Sequence, residues 1–175
     1  MSKTVAREGI KITKDKFFEI LEAYQLWKRF DEVMRKHSSR GVNLHEGITE
    51  VIVCYVNDFY HSIGQGSEDA FNKYNEQVQI KATSNFDSDL TSFGPTSEFQ
   101  HLHFARLNRN GDLLYLYNIS IKGLQNIMVN KENTFREQQN QNRRPRFSII
   151  KKIIIPKKLK PYAKVNLING QITKY

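Results

Sequence analysis

Apolar residues in this chain recur first at helical spacing and later at strand spacing. Phe17, Ile20, Leu21, Tyr24, Leu26, Trp27, Phe30, Val33 and Met34 return every three or four residues with charge between them, which predicts an amphipathic helix over residues 14–37. Ser38, Ser39, Arg40 and Gly41 end it. A second helix is expected from Asn43 as N-cap, with Glu46 at the N3 position of a capping box. Ile48, Val51, Ile52, Tyr55, Val56 and Phe59 carry that helix to about His61. From Tyr74 the period becomes two. Tyr74, Val78, Ile80 and Ala82 fall on one side and Gln77, Gln79, Lys81 and Thr83 on the other, with Glu76 out of phase. The runs 102–107 and 113–119 flank Asn110 and Gly111, the signal of a hairpin or a helix-to-strand turn, and the second run is apolar on both faces as a central strand is. Residues 131–141 predict a polar helix. Residues 149–155 fit a strand by composition and a helix by spacing, and both readings stay open. Turn formers at 62–67 and 84–95 supply loops. This order predicts one α/β domain over residues 1–175, a central mixed β-sheet flanked by helices.

Composition narrows the classes of function. The 175 residues are 39% hydrophobic with 11 Phe and 8 Tyr, enough to bury a core. No run of 18 apolar residues occurs and residues 1–8 lack the apolar centre of a signal peptide, so the expected location is the cytoplasm with no membrane partner. Cys54, the single cysteine, lies in the apolar run 51–56 and reads as a small core residue rather than a nucleophile. The net charge of +9 is unevenly placed: residues 1–137 hold 17 Lys and Arg against 18 Asp and Glu, whereas residues 138–175 hold ten basic residues and no acid. Such a field attracts a polyanion, nucleic acid first and acidic membrane second. A solubilising tail is the bland alternative, but the interleaved Ile149, Ile150, Ile153, Ile154, Ile155, Leu159 and Leu167 argue for folded structure.

The residues that could carry chemistry lie between 69 and 83. Asp69 precedes Gln79 by ten positions, and Gln79 and Lys81 share a strand face. A carboxylate, an oxygen donor and an ammonium are the set that metal-dependent phosphodiester hydrolysis requires. The same residues also read as a loop aspartate followed by the wet face of an antiparallel strand. His101 and His103 form an HxH pair with no third ligand at zinc spacing, which reads as the surface of a hairpin or helix; His45 and His61 stand alone. Phosphate-loop and dinucleotide fingerprints are absent, as is a nucleophile elbow.

Glu46 and Glu50 in the second helix, then Asp69, then Gln79-Ile80-Lys81, resemble the PD-(D/E)XK nuclease superfamily over residues 43–120. More narrowly, Gln77-Val78-Gln79-Ile80-Lys81-Ala82-Thr83, Ser92-Phe93-Gly94-Pro95 and Arg143-Arg144-Pro145-Arg146-Phe147-Ser148 resemble small type II restriction endonucleases that cut short GC-containing sites. The resemblance implies a restriction-endonuclease-like core and a sequence-specific double-stranded DNA endonuclease that uses Mg²⁺ and leaves 5′-phosphates. It implies a homodimer, with a cognate DNA methyltransferase as its functional partner. Asp69 would bind the metal, with Ile80 among the metal positions, and Lys81 would orient or help deprotonate the attacking water. Gln79 stands where the family usually has Asp or Glu and brings no charge. A further acid is then needed, Glu50 first and Glu46 second, because the capping box already occupies Glu46. Glu68 competes with Asp69, and Glu76 lies on the wrong strand face.

For DNA, Arg143, Arg144 and Arg146 are the expected readers, since arginine bonds guanine bidentately for roughly 1–3 kcal/mol of discrimination. Ser84, Asn85 and Ser92 would enter a groove, and Lys151 and Lys152 would touch phosphates. Residues 43–120 would then be the catalytic core and 131–170 a basic recognition segment. A non-enzymatic nucleic-acid-binding protein and a structure-specific repair nuclease on the same fold are the competing readings.

Overall fold

The two amphipathic patterns at the start of the chain become helices α1 (Lys14–His37) and α2 (Glu46–Asn57) in the computed structural model. The structure describes residues 9–64, 66 and 68–175. Residues 1–8, which carried the signal-peptide reading, lie outside the described residues, as do Gln65 and Ser67 of the glycine-bearing loop. Thr13 caps α1 by accepting from the Lys16 amide, and Arg35, Lys36 and His37 fill its last turn, where cations complement the helix dipole. The start of α2 differs from the capping box expected at Asn43. His45 is the N-cap, its ring nitrogen accepting from the Gly47 amide, so Glu46 opens the helix and is exposed. The helix stops at Asn57 because Asp58 turns left-handed (φ 60°), and His61 lies on a strand instead.

The strands are β1 (Gly9–Lys11), β2 (Tyr60–Ser62), β3 (Ala70–Phe71), β4 (Gln77–Thr83), β5 (Thr91–Ser92), β6 (His101–Asn108), β7 (Leu113–Ile119), β8 (Arg146–Phe147), β9 (Ala163–Asn166) and β10 (Ile172–Lys174). Eight of them form a mixed sheet in the order β1-β2-β3-β4-β6-β7-β9-β10, antiparallel except where β4 and β6 run parallel, while β5 and β8 pair separately. Tyr74 is not part of β4. Asn75 adopts φ 61° and Tyr74 lies exposed in the turn, so pairing begins at Gln77. Asn110 and Gly111 lie in a short 3₁₀ turn joining β6 to β7, and β7 is flanked by β6 and β9 as a central strand should be.

Side-chain alternation on β6 and β7 sends alternate residues into two cores. Ala105, Leu107, Leu114 and Leu116 pack under α1 and α2 with Ile52, Val53, Val78 and Ile80. Leu102, Phe104, Tyr117 and Ile119 pack on the other face against Phe93, Phe147 and the isoleucines that follow. Those isoleucines settle the ambiguity at 149–155: residues 150–154 form a π-helical turn that buries Ile150, Ile153 and Ile154. The polar helix expected over 131–141 shortens to α4 (Phe135–Asn140), with a capping box between Thr134 and Glu137, and follows the five-residue α3 (Ile121–Gln125). Cys54 is buried, and burial pushes its thiol well above the usual range, as befits a core residue. His103 is not a surface residue. It is buried against Phe59, its Nδ1 lies 2.9 Å from the Tyr162 hydroxyl, and burial holds its pKa down to about 4. His101 instead pairs with Glu76 at 2.8 Å, so the HxH pair is split between two environments.

Candidate active site

The ten-residue interval between Asp69 and Gln79 is the span of a tight hairpin. In the β3–β4 register Phe71 opposes Gln77 and Ala70 opposes Val78, so the next pair is Asp69 and Gln79. The Asp69 amide donates to the Val78 carbonyl at 3.1 Å, and on the other side the Ser62 amide donates to the Asp69 carbonyl at 2.9 Å. Asn72 holds the turn, its side-chain oxygen accepting from the Tyr74 and Glu76 amides at 2.9 and 3.0 Å. Asp69 is therefore pinned between two strands. Its Oδ2 accepts from the Ile80 amide at 2.6 Å and from the Gln79 side-chain amide. Gln79 is only 4% exposed, so this strand face is not wet at that position.

Electrostatics mark the same spot. Burial pushes the Asp69 carboxyl up to about 6; the Ile80 hydrogen bond opposes the shift, the negative Glu50 reinforces it, and Lys81 and Gln79 oppose it. Glu50, one helical turn before the buried Cys54, takes a 2.9 Å bond from His61 Nε2. Glu50 thus adds to the cost of ionising Asp69, a cost that a nearby divalent cation relieves. Asp69, Glu50, the Gln79 side chain and the Ile80 carbonyl offer hard oxygen donors, the type Mg²⁺ prefers. No cluster of three or more His, Cys, Asp or Glu with metal-site geometry occurs among the described residues, so amide, main-chain and water oxygens would have to complete the shell of any bound ion. The Gln79 amide points its nitrogen at Asp69 and would present its oxygen to an ion only after turning over. The other candidate acids are employed elsewhere. Glu68 faces the Gln77 side chain at 3.4 Å, and Glu76 binds His101 and Asn72.

Lys81 projects into a cleft of about 610 Å³ whose walls include Glu46, Thr49, Ser84 and Ser92. Its ammonium lies 5.8 Å from the centre of the Phe93 ring. A second cleft of about 560 Å³ shares Asn43, Ser84 and Asn85 with the first and is bordered by Arg35, Arg40 and Arg109. Asp31, wholly buried, organises that border. It binds Arg35 at 2.9 Å, Arg109, and the Val42 amide at 2.7 Å, and a Cβ at Gly41 would collide with Asp31 and Arg35. Burial opposes ionisation of Asp31, yet these bonds hold its pKa below the usual range.

The expected DNA residues gather beside these clefts. Ser92 pairs with Arg146 in the β5–β8 ladder, while Arg143, Arg144, Arg146, Lys151 and Lys152 are all exposed. Asp89 ties the loop after β4 to this segment. It accepts from Ser148 Oγ at 2.6 Å and from the Ile149 and Ile150 amides at 2.8 and 3.0 Å. Lys152 also donates to the Met128 carbonyl at 2.5 Å. The basic stretch does not stay together, for Lys164 and Lys174 lie on β9 and β10 across the sheet. Sequence reasoning missed His61, Asp89, Arg35, Arg40 and Arg109. Only Asp31 left a signal for that cluster, as a charge at position i+4 from Trp27 on the apolar stripe of α1.

Two comparisons bear on this geometry. The model of the Bsp6I restriction endonuclease family matches residues 12–156, a span holding Glu50, Asp69, Gln79, Lys81 and the arginine-rich segment. The type II restriction enzyme Bsp6I of Bacillus sp. (strain RFL6) is 41% identical over 167 residues, covering 94% of this chain and 96% of that protein. The hairpin that sets Asp69 against Gln79, the lysine-bearing cleft and the arginines beside it therefore sit in a chain that belongs to the Bsp6I restriction endonuclease family, and it is a type II restriction endonuclease.

Proposed function

We propose that this sequence-specific DNA endonuclease is Mg²⁺-dependent, with Asp69, Glu50, Gln79 and Lys81 as its catalytic residues, and leaves 5′-phosphates. The observation that carries the proposal is Asp69 held against Gln79 and the Ile80 amide, with Glu50 acting on it electrostatically, on the strand from which Lys81 reaches a cleft. Asp69, Glu50, the Gln79 oxygen and the Ile80 carbonyl would hold the ion, and Glu46 on the cleft wall is the reserve acid. When bound, the ion supplies positive charge against the developing phosphorane and makes water a stronger acid. Lys81 donates hydrogen bonds that orient the attacking water against the phosphorus. The water gives up one proton to solvent as its oxygen forms the new P–O bond, the bond to the 3′ oxygen breaks, and that oxygen takes up a proton from solvent. His61 fixes the Glu50 carboxylate, and the Phe93 ring confines the Lys81 side chain.

Arg143, Arg144 and Arg146 read bases, with Ser84, Asn85 and Ser92 lining the approach and Lys151 and Lys152 on phosphates. Arg40, on the second cleft, extends the backbone contacts. Residues 43–120 act as the catalytic core and the exposed basic residues within 131–170 as the recognition segment of one domain. The enzyme works as a homodimer, one site per strand, in the cytoplasm, beside a methyltransferase that protects host DNA. No helix among the described residues is long and apolar enough to cross a membrane.

Plasmid DNA with Mg²⁺ should yield discrete fragments, and EDTA should abolish them. Asp69→Ala and Lys81→Ala should each cut at least about 100-fold more slowly while keeping specific binding in a gel-shift assay. Wild-type rates in either variant, or cleavage in EDTA, would refute the assignment.

A further inference from the structure

Leu26, Phe30 and Val33 stand 68%, 54% and 50% exposed on α1, spaced i, i+4, i+7 along one face. The opposite face already buries Phe17, Leu21, Tyr24 and Trp27, so α1 is apolar on two sides and only one of them meets the sheet. Glu19 and Glu22 precede the outer stripe and Lys36 follows it on the flank that carries Glu22, while Arg29 lies on that flank beside Phe30 at its middle. Glu22, Arg29 and Lys36 are exposed, and none forms an ion pair with another described residue.

With an acid before it and a base after it, the stripe complements the two ends of its own copy turned end for end, the exposed Arg29 side chains flanking the centre. With a two-fold axis near Arg29 and Phe30, Leu26 meets Val33 of the second copy, Phe30 meets its counterpart, and Glu22 meets Lys36 of the second copy. In an antiparallel pair related by such an axis, each flank contacts the same flank of the partner, so these charges face each other at both ends. The contact from Glu22 to Lys36 spans about 21 Å of helix. Opposed helix dipoles favour the same orientation. We propose that this face of α1 is the homodimer interface and that its occupant is a second copy of this chain, packed antiparallel about a two-fold axis. The proposal rests on the reading of the enzyme as a two-site cutter. The last turn of α1 runs into the arginine-bordered cleft, so pairing there joins the two DNA-facing sides through one rigid helix.

Sedimentation equilibrium and plasmid cleavage test it together. Wild type should sediment as a dimer, and Leu26→Glu, at a position outside the core, should keep its circular dichroism and melting temperature. That variant should self-associate about 100-fold more weakly and convert supercoiled plasmid to nicked circles before linear DNA. E22K should weaken the dimer, and E22K/K36E should restore it to within about threefold of wild type. A wild-type monomer that still cuts discrete fragments would overturn the interface and leave the nuclease reading intact. A dimer dissolved by Leu26→Glu in a protein that never cuts would do the reverse. A folded Leu26→Glu variant that remains dimeric refutes the proposal. So does a monomeric wild type whose cleavage Leu26→Glu impairs, which would give the face to another partner.

Discussion

Asp69 carries a conflict that its neighbours only partly resolve: it is held by two donors, yet burial and Glu50 push its pKa up to about 6 from 3.8. A folded-state pKa above the unfolded one means that the folded protein binds this proton more tightly. The ionised carboxylate therefore costs stability above pH about 6, and the cost fades as pH falls through 6 toward 3.8. Asn mimics the protonated form. In EDTA at pH 8, Asp69→Asn should be more stable than wild type by on the order of 1–3 kcal/mol in urea melts, with the gap narrowing below pH about 6 and closing only as pH approaches 3.8, while cleavage is lost. A gap that stays constant across that range would count against burial and Glu50 as its cause. Strand alternation alone was enough to set Gln79 and Lys81 on one face. The cost at Asp69 was invisible, because it depends on Glu50 arriving from another element. Asp31 was half legible, a lone charge on an apolar stripe whose two arginine partners lie at positions 35 and 109.

At the scale of elements, the loop after β4 and the segment 145–150 act as one unit because Asp89 caps the start of the π-helical turn. Asp89→Ala should cost roughly 1–2 kcal/mol of stability, the range for a lost N-cap. It should also relax sequence discrimination more than it slows hydrolysis, since Lys81 and Asp69 stay in place. Comparing rates on cognate and singly mismatched duplexes checks this; equal losses on both would argue that Asp89 acts on stability alone. The α1 pattern foretold its helix from 14 to 37 to the residue, because a long two-sided periodicity leaves little freedom. Short signals fared worse. Asn43 and Glu46 have the capping-box spacing, but the chain turns helical two residues later, where His45 can reach the Gly47 amide. At 149–155 composition favoured a strand, and burial of Ile150, Ile153 and Ile154 against the second core favoured a π-helical turn.

Across the whole molecule, the basic charge that stood together in sequence is shared between two surfaces, and a second basic border appears at Arg35, Arg40 and Arg109. If both surfaces touch the DNA backbone, binding affinity should fall steeply with salt. Arg40→Ala and Lys151→Ala should each flatten the log–log slope by about 0.9, while Arg146→Ala should also change which sequences are cut. An unchanged slope in Arg40→Ala would remove the second cleft from the DNA path.

By itself the sequence determined what short-range periodicity can encode: the long first helix, the strand face carrying Gln79 and Lys81, the central β7 strand, the α/β class, and the segments that betray a restriction endonuclease. Only the tertiary structure decided which distant groups meet. The hairpin register set Asp69 opposite Gln79, the packing of α2 brought Glu50 to bear on Asp69, β2 delivered His61 to Glu50, and Asp89 reached across to Ser148. Period along a chain is local and survives in one dimension. Register, burial and the coupling of charges arise only when separate elements share one core.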